Sequence, residues 1–357
     1  MRAAELDAVA LVPGPNFKRL FGRDFHLMER PLIAIIPRHG DPVAIVPNLE
    51  MASFNTLNFP GQVFDWRDED GYAAAFSNAA KALPQLQDSQ NFGLEAQRMR
   101  VFEQMALQSV FPQVRFTDAH QAISSIRLTK TPAEVDLLRQ AIRISESALE
   151  QTLALVEIGQ TEKQIEGLLI GRLFANGAEG LSFDPIVAAG DNSAQPHAQA
   201  RDTYKTRRGD ALLIDFGAKF NGYNADITRT FFLGEVSDCD RRFYETVQAA
   251  NARGKAASRP GATAHDVDDA VQKVLEASEF AAFARHKTGH GLGLDVHEAP
   301  HIMRGNQTVL TAGMVYTVEP GLYRLGECGV RIEDDVWLTD TGHDCLTTFP
   351  RELRLVG

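Results

Sequence analysis

The stretch that decides the fold is ALLIDFGAKFNGYNADITRT, residues 211–230. Two apolar runs flank Asn221-Gly222, and Asn-Gly between such runs is a strong signal for a two-residue β-hairpin turn. With this turn, paired residue numbers sum to 443, so Asp215 pairs with Thr228. Asp226 then lies diagonally across from Asp215 on the same sheet face, roughly 7–8 Å away between backbone positions, so both carboxylates can reach one ion.

The position of Asp215 indicates a functional role. An aspartate beside a strand is often only a turn or cap residue, but Asp215 lies inside the apolar run 211–216. An ionised carboxylate there is costly unless it is paired or metal-bound.

A second informative stretch contains four histidines among residues 286–301. Its glycines do not match a dinucleotide-binding loop, because Leu294 stands where the third glycine is needed. Glycines on both sides of His290 allow close backbone approach around an imidazole, which suits a metal ligand or a proton carrier. A lone histidine is more often structural, and the pattern does not say which of the four histidines act.

Two glutamates complete the candidate set, since Glu319 and Glu333 each stand at or near the end of an apolar run. Either one alone is more simply explained by a surface salt bridge. Together with Asp215, Asp226 and His290 they form an oxygen-rich set with one nitrogen donor, which suits paired Mn²⁺, Co²⁺ or Zn²⁺. Such a pair can bridge and acidify a water for hydrolysis. No GxSxG, GxxxxGK[ST] or HExxH motif offers an alternative chemistry.

Length and composition restrict the class of protein. A chain of 357 residues favours two domains, and 44% apolar with 23% charged residues is ordinary for a soluble protein. The net charge of −11 argues against nucleic acid as a partner, and no apolar run is long enough for a membrane span. Glu5 and Asp7 interrupt the place of a secretory signal, and three cysteines without CxxC spacing suggest no disulfide framework. We therefore expect a cytoplasmic protein.

Residues 1–125 alternate short apolar runs with helix-like stretches, which predicts a small α/β domain. Its predicted strands are 8–12, 31–36, 43–46 and 114–116, and its predicted helices are 72–83 and 97–110. The capping-box pattern Thr131-Pro132-Ala133-Glu134 then opens a long amphipathic helix. We place the domain boundary just before it, so that the second domain spans residues 126–357.

The second domain repeats one order of elements, two helices followed by strands, at about a hundred residues per copy. The first copy has helices at 132–156 and from Thr161 to before Gly177, with strands at 211–217 and 225–233. The second copy has helices at 241–257 and 264–275, with strands at 314–318 and 330–338. This order predicts an α+β domain with a pseudo-twofold duplication.

The motifs together resemble those of the pita-bread metallopeptidases, in the branch of Xaa-Pro dipeptidase (prolidase) and Xaa-Pro aminopeptidase. The resemblance covers residues 125 to 350. It rests on five residues in four segments: Asp215 and Asp226 followed by Thr228-Arg229-Thr230, His290 in Gly-His-Gly, Glu319 in Thr-Val-Glu-Pro-Gly, and Glu333 in Arg-Ile-Glu-Asp.

The resemblance implies roles for individual residues. These five residues would be the ligands of two divalent metal ions per chain, with Mn²⁺ the first choice and Co²⁺ or Zn²⁺ as alternatives. Glu319 would also be the general base. His197, brought in by the segment from Phe183 to His197, would contact the substrate or stabilise the intermediate, as would His297 and Arg331. Residues 1–125 match the creatinase/prolidase N-terminal domain in size and α/β character, which implies substrate restriction and a homodimer.

The expected activity is therefore hydrolysis of the peptide bond before proline, in a small peptide with proline at the second position. We favour an Xaa-Pro dipeptidase, with an Xaa-Pro aminopeptidase acting on longer peptides as the alternative. A creatinase-like amidinohydrolase works without metals, and a non-catalytic peptide-binding scaffold would have lost ligands. The complete set of five argues against both.

Overall fold

The computed structural model describes residues 1–357, which divide into two compact units, Met1–Arg127 and Leu128–Gly357. The predicted boundary after residue 125 lies two residues before this division. None of the helices combines the length and the apolar character that crossing a bilayer requires.

The first unit is built on one six-stranded mixed sheet with the strand order β4-β3-β2-β1-β5-β6. Its strands are β1 (Ala8–Leu11), β2 (Ile33–Pro37), β3 (Val43–Pro47), β4 (Gln62–Trp66), β5 (Phe92–Leu94) and β6 (Phe116–Asp118). Its helices are α1 (Pro15–Phe21), α2 (Met51–Phe54), α3 (Ala73–Ala82), α4 (Val101–Val110) and α5 (His120–Ser124). Strands β4 and β5 are not among the strands predicted from the sequence. Strand β5 has only three residues, and β4 carries the polar residues Gln62 and Asp65 among its five, so both have weak apolar patterns.

Both faces of this sheet are covered, which explains the continuous apolar runs of its strands. Ala8 and Ala10 of β1 pack with α3 and α4 on one face, whereas Val9 and Leu11 pack with α1, α2 and α5 on the other. This alternation follows from the two-residue period of a strand. The predicted α/β character of residues 1–125 is thereby confirmed.

The second unit contains four long helices in two pairs, each pair preceding a group of strands. The helices are α6 (Pro132–Leu153), α7 (Glu162–Ala175), α8 (Asp238–Ala257) and α9 (Ala264–Glu276). The strands of the first group are β7 (Gly180–Leu181), β8 (Ile186–Ala189), β9 (Ala211–Phe216), β10 (Ala218–Phe220), β11 (Tyr223–Asn224) and β12 (Ile227–Leu233). The remaining strands are β13 (Gly289–Gly291), β14 (Glu298–Ile302), β15 (Val315–Val318), β16 (Gly321–Arg324), β17 (Cys328–Arg331), β18 (Asp334–Leu338), β19 (His343–Cys345) and β20 (Leu355–Val356).

Each helix pair has its own core. Helices α6 and α7 pack against β8, β9 and β12, while α8 and α9 pack against strands β15 to β18. The largest sheets have the orders β20-β12-β9-β8 and β14-β13-β15-β18-β19. The predicted duplication of two helices followed by strands is confirmed.

The helix starts follow from local capping chemistry. At α6, Glu134 N donates to Thr131 Oγ1 and Thr131 N donates to Glu134 Oε2, which is the predicted capping box. Thr161 and Gln164 make the same exchange at α7. Helix α8 begins three residues before the predicted start, because Ser237 Oγ accepts a hydrogen bond from Asp240 N and caps it.

The hairpin has the predicted register. Asp215 pairs with Thr228, and both turn residues, Asn221 (φ 49°) and Gly222 (φ 83°), have the positive φ that a type I′ turn requires. The ladder is interrupted at Gly217, where a Cβ would lie 1.7 Å from Ala225 O. This close approach divides the hairpin between two sheets.

The prediction of a single strand over residues 330–338 is wrong. The stretch is divided between β17 and β18, which belong to different sheets. The chain breaks away between them, where Ile332 N donates to Pro320 O and Glu333 N donates to Thr228 O. These contacts place Glu333 beside the hairpin that carries the aspartates.

Candidate metal and active site

The hairpin aspartates meet Glu333 in a buried acidic cluster. Asp215 lies near the end of β9, and Asp226 comes directly before β12. One carboxylate oxygen from each of Asp215, Asp226 and Glu333 lies within 4.8 Å of the other two. This convergence follows from the hairpin register together with the break before β18.

His290 faces these carboxylates from β13. Its Nδ1 lies 3.1 Å from Gly291 O, so Nδ1 carries the proton that this hydrogen bond needs. Its Nε2 lies 3.3 Å from Glu319 Oε1 and 3.7 Å from Asp226 Oδ2. The Nε2 lone pair therefore points among the acidic side chains, as a metal ligand requires.

The glycines beside His290 are required by crowding. A Cβ on Gly289 would lie 2.0 Å from Thr317 O, and one on Gly291 would lie 2.1 Å from Ala299 O. Both neighbouring strands therefore approach β13 to a distance that only glycine permits. Close backbone approach around the imidazole, inferred from the sequence, is confirmed.

Hydroxyl groups orient the two glutamates. Glu319 follows β15, and Thr317 Oγ1 donates to its Oε1 at 3.2 Å. Glu333 precedes β18, and Thr228 Oγ1 donates to its Oε2 at 2.6 Å. Each hydroxyl leaves the second carboxylate oxygen of its partner available to a ligand.

The electrostatics of this cluster favour a highly charged cation. Burial, followed by repulsion from Glu333 and Asp215, raises the pKa of Asp226 well above its ordinary value. Burial and repulsion from Glu319 and Asp215 likewise raise the pKa of Glu333. Burial and His297 lower the pKa of His290 to about 3, which keeps its imidazole neutral.

The donor set fits divalent metal ions. Asp215 Oδ1 is buried and has no hydrogen-bond partner in the protein, although such an atom is costly unless something binds it. Three overlapping groups of side chains have the spacing to hold an ion: Asp215, Asp226 and Glu333; His290, Glu319 and Glu333; and Asp226, His290 and His297. Carboxylate oxygens with one or two imidazoles are ligands that suit Mn²⁺, Co²⁺ and Zn²⁺.

Arg331 supplies a cation that is fixed in the protein. Its Nη2 donates to Asp215 Oδ2 at 2.5 Å, its Nη1 to Tyr323 Oη at 2.8 Å and its Nε to Thr228 Oγ1 at 3.0 Å. The guanidinium is buried, so these contacts hold it rigidly beside the acidic cluster.

The two further predicted histidines lie on the same cavity. The ring of His297 lies 4.2 Å from that of His290, measured between centroids. His197 is exposed, and it lies in the segment between β8 and β9. The cavity has a volume of about 760 Å³ and contains every predicted site residue. Its lining comprises Phe183, Ile186, Gln195, Pro196, His197, Asp215, Asp226, Arg285, His286, Lys287, His290, His297, Glu319, Arg331 and Glu333.

Tyr323 and His286 also belong to this site, although neither is among the residues predicted from the sequence. Tyr323 Oη accepts from Arg331 and contacts His286 Nε2 at 2.8 Å. His286 belongs to the histidine-rich stretch and lines the cavity, whereas His301 does not line it. Tyr323 carries no local signal, because its role depends on the pairing of β16 with β17.

The sequence and the fold both match known proteins. Residues 136–340 match metallopeptidase family M24, and residues 1–129 match the Creatinase/Prolidase N-terminal domain. The Xaa-Pro dipeptidase of Pyrococcus furiosus is 38% identical over 240 residues, which are 67% of this chain and 68% of that protein.

Two solved structures resemble nearly the whole chain. The prolidase from Thermococcus sibiricus has a TM-score of 0.93 and 31% identity, covering 99% of this chain and 96% of that one. The X-Pro aminopeptidase from Thermotoga maritima has a TM-score of 0.83 and 31% identity, covering 99% and 97%.

These matches confirm the resemblance to the Xaa-Pro dipeptidase and Xaa-Pro aminopeptidase branch, with a creatinase-type N-terminal domain before a pita-bread domain. They also confirm a hydrolase that depends on divalent metal. The chain belongs to metallopeptidase family M24.

Proposed function

We propose that this chain is an Xaa-Pro dipeptidase that holds two divalent metal ions through Asp215, Asp226, His290, Glu319 and Glu333. The observation that carries the proposal is the convergence of these side chains on one cavity, where an aspartate oxygen stays without a partner. When bound, divalent ions in such a site acidify a water and polarise the substrate carbonyl. Mn²⁺ is our first choice, with Co²⁺ or Zn²⁺ as alternatives.

Side chains of this site perform the proton transfers, bind the peptide and stabilise the charge that develops during hydrolysis. Glu319 takes a proton from the attacking water and delivers it to the leaving proline nitrogen, as a general base and then a general acid. His197, His297 and Arg331 bind the peptide and stabilise the negative charge that develops on the carbonyl oxygen. Arg331 suits this task because its guanidinium is already held in place and needs no reorganisation.

The charge of the cavity wall supports a dipeptide as the substrate. Arg285 and Lys287 line the cavity, both are exposed, and neither forms an ion pair. Lys287 Nζ lies 3.3 Å from His301 Nδ1. These cations can bind the carboxylate of a C-terminal proline, as in an Xaa-Pro dipeptide. In a longer peptide the same carbonyl group is part of a peptide bond and carries no charge.

The similarity to the Xaa-Pro dipeptidase of Pyrococcus furiosus also supports a dipeptide as the substrate. The similarity to the X-Pro aminopeptidase of Thermotoga maritima supports the alternative, an aminopeptidase. We propose that residues 1–125 limit peptide length and contribute to a homodimer, as the family resemblance implies. We place the enzyme in the cytoplasm, which agrees with three free cysteines.

A substrate panel tests this function. Full-length protein purified without chelator is analysed for metal, and it is then assayed with Mn²⁺, Co²⁺ and Zn²⁺ on an Xaa-Pro dipeptide, its carboxamide and an Xaa-Pro-Xaa tripeptide. We expect two metal ions per chain and faster cleavage of the free dipeptide than of the other two. A preference for the tripeptide would establish the aminopeptidase instead, and an active metal-free Asp226→Ala variant would overturn the metal mechanism.

A further inference from the structure

We propose that Glu162 is a positioning residue for His197, because it fastens both ends of the loop, residues 189–201, that carries this histidine to the cavity. The inference rests on the proposed role of His197 in binding the substrate. Glu162 itself does not line the cavity.

The contacts of Glu162 join the two ends of this loop. Its Oε1 accepts from Ala189 N at 2.7 Å and from Arg201 Nη2 at 2.9 Å. Its Oε2 accepts from Asn192 Nδ2 at 3.0 Å, from Arg201 N at 2.7 Å and from Arg201 Nε at 3.0 Å. A fully buried carboxylate thus receives five hydrogen bonds, all of them from the loop that contains His197.

Capping of helix α7 does not explain this arrangement. Glu162 is the first residue of α7, where a carboxylate is favourable to the helix dipole. The capping exchange at this end is made by Thr161 and Gln164 instead. Both carboxylate oxygens of Glu162 instead accept hydrogen bonds from the loop. The buried carboxylate therefore stabilises the loop more than it stabilises the helix start.

Two further hydrogen bonds hold the middle of the loop in place. Asn192 Nδ2 also donates to Gln199 O at 3.0 Å, which closes the loop across its base. Gly329 N donates to Ser193 Oγ at 2.9 Å and ties the loop to β17.

The imidazole of His197 is exposed and has no hydrogen bond or ion pair within the protein. Its position therefore depends on the loop backbone, which Glu162 holds at both ends and which Arg331 Nη1 contacts at Pro196 O, 3.3 Å away. A misplacement of about 1 Å at a substrate-contacting group can cost about 100-fold in rate.

A double-mutant cycle tests the proposal on full-length, Mn²⁺-loaded enzyme with the Xaa-Pro dipeptide. Kcat and KM are measured for the wild type, Glu162→Gln, His197→Ala and the double variant. We expect Glu162→Gln to lower kcat/KM by about 10- to 100-fold in the wild-type background, as a small misplacement of a substrate-contacting group does. In the His197→Ala background we expect a further loss of less than about 3-fold, because the positioned group is then absent.

Other results would contradict the proposal. An equal loss in both backgrounds would show a general structural role for Glu162 and overturn the positioning role, while the peptidase activity of the wild type would leave the proposed function intact. An unchanged kcat/KM in His197→Ala would overturn the positioning role as well, since nothing would need positioning.

Two further variants complete the experiment. Glu146→Gln is the comparison variant, because Glu146 also accepts several hydrogen bonds, three from Thr348 and Phe349, and none of them comes from the loop that carries His197. We expect its kcat/KM to stay within about 2-fold of the wild type. If Glu162→Gln does not fold, Asn192→Ala enters the same cycle, with an expected loss of about 3- to 10-fold for its two hydrogen bonds.

Discussion

Arg331 donates a 2.5 Å hydrogen bond from Nη2 to Oδ2 of Asp215, and both side chains are buried. The bond uses one oxygen of Asp215 and leaves Oδ1 without a partner in the protein. Arg331 thus orients a candidate metal ligand while it contributes positive charge to the cavity wall.

Replacing Arg331 by lysine should separate geometry from charge. A lysine keeps one positive charge but cannot bond Asp215, Tyr323 and Thr228 together, because it lacks the planar fork of arginine. We expect kcat/KM on an Xaa-Pro dipeptide to fall by about 100-fold or more. Arg354→Lys, in an exposed pair with Glu150, is the control and should change kcat/KM and stability little. Near-normal activity of Arg331→Lys would mean that charge alone suffices.

Replacing Asp226 by asparagine should have opposite effects on the metal-free and metal-loaded proteins. The raised pKa of Asp226 means that its charged form is disfavoured in the fold, so the metal-free protein loses stability as the pH rises. At pH 8 we expect metal-free Asp226→Asn to unfold at higher denaturant than metal-free wild type, by about 1–2 kcal/mol.

Mn²⁺ at a hundredfold excess over its Kd should add about 2.7 kcal/mol to the wild type and much less to Asp226→Asn. Urea unfolding with and without Mn²⁺ measures both effects. The exposed Asp202→Asn serves as the control: without metal it should match the wild type, and Mn²⁺ should stabilise it by the same amount as the wild type. A metal-free Asp226→Asn that is less stable than the wild type would show that repulsion within the cluster is not the dominant effect.

Two glycine-to-alanine substitutions should change the unfolding free energy in opposite directions. Gly291→Ala places a Cβ 2.1 Å from Ala299 O, so β13 must shift and move His290 with it. We expect a loss of about 3 kcal/mol or more in unfolding free energy, together with weaker Mn²⁺ binding. Gly171→Ala, within α7, meets no atom within 4 Å and should stabilise the protein by about 0.5–1 kcal/mol. Equal Mn²⁺ affinity in Gly291→Ala and wild type would contradict the required close approach.

A buried ion cluster outside the site should govern acid stability. Asp334 is fully buried and contacts Arg229 Nη2 at 2.8 Å, Arg351 Nε at 2.6 Å and Lys255 Nζ at 2.5 Å. Burial acts to raise the pKa of Asp334, but the three cations lower it well below its ordinary value of 3.8. A carboxyl with a depressed folded pKa stabilises the fold above its unfolded pKa, and this contribution is lost as the pH falls towards the folded pKa.

Asp334→Asn should therefore be destabilised by about 3–5 kcal/mol at pH 7, with a smaller deficit at pH 3. Guanidinium unfolding at pH 7, 5 and 3 measures the difference from the wild type. Glu150→Gln, which breaks an exposed pair, should cost less than about 1 kcal/mol at every pH. A deficit of Asp334→Asn that stays constant down to pH 3 would assign its cost to packing instead of charge.

Short-range chemistry explains the successes of the sequence analysis. Asn221-Gly222 specifies a turn with two positive φ angles, and this turn sets the pairing of Asp215 with Thr228 over the whole hairpin. Thr131 with Glu134 specifies the start of α6 in the same local way. These features involve residues close in the chain, so the residue types carry the geometry.

Long-range packing determines the features that the sequence analysis missed. Residues 330–338 read as one apolar strand, yet the chain separates at Glu333 because its backbone bonds to Thr228, 105 residues away. Tyr323 reaches Arg331 only because β16 pairs with β17. Glu162 reads as an ordinary residue of a first helical turn, although it is fully buried and receives five hydrogen bonds.

The amino-acid pattern thus specifies the two-domain α/β and α+β architecture, the hairpin register and the pairing of Asp215 with Asp226 on one sheet face, since periodicity, turns and caps act over a few residues. The choice of His290, Glu319 and Glu333 as ligands depends mainly on the resemblance to a known family. The distances between those ligands, the unpartnered oxygen of Asp215 and the support of His197 by Glu162 arise from the assembled sheets and loops. They depend on which distant backbone groups find hydrogen-bond partners when the core closes, and no local pattern encodes that choice.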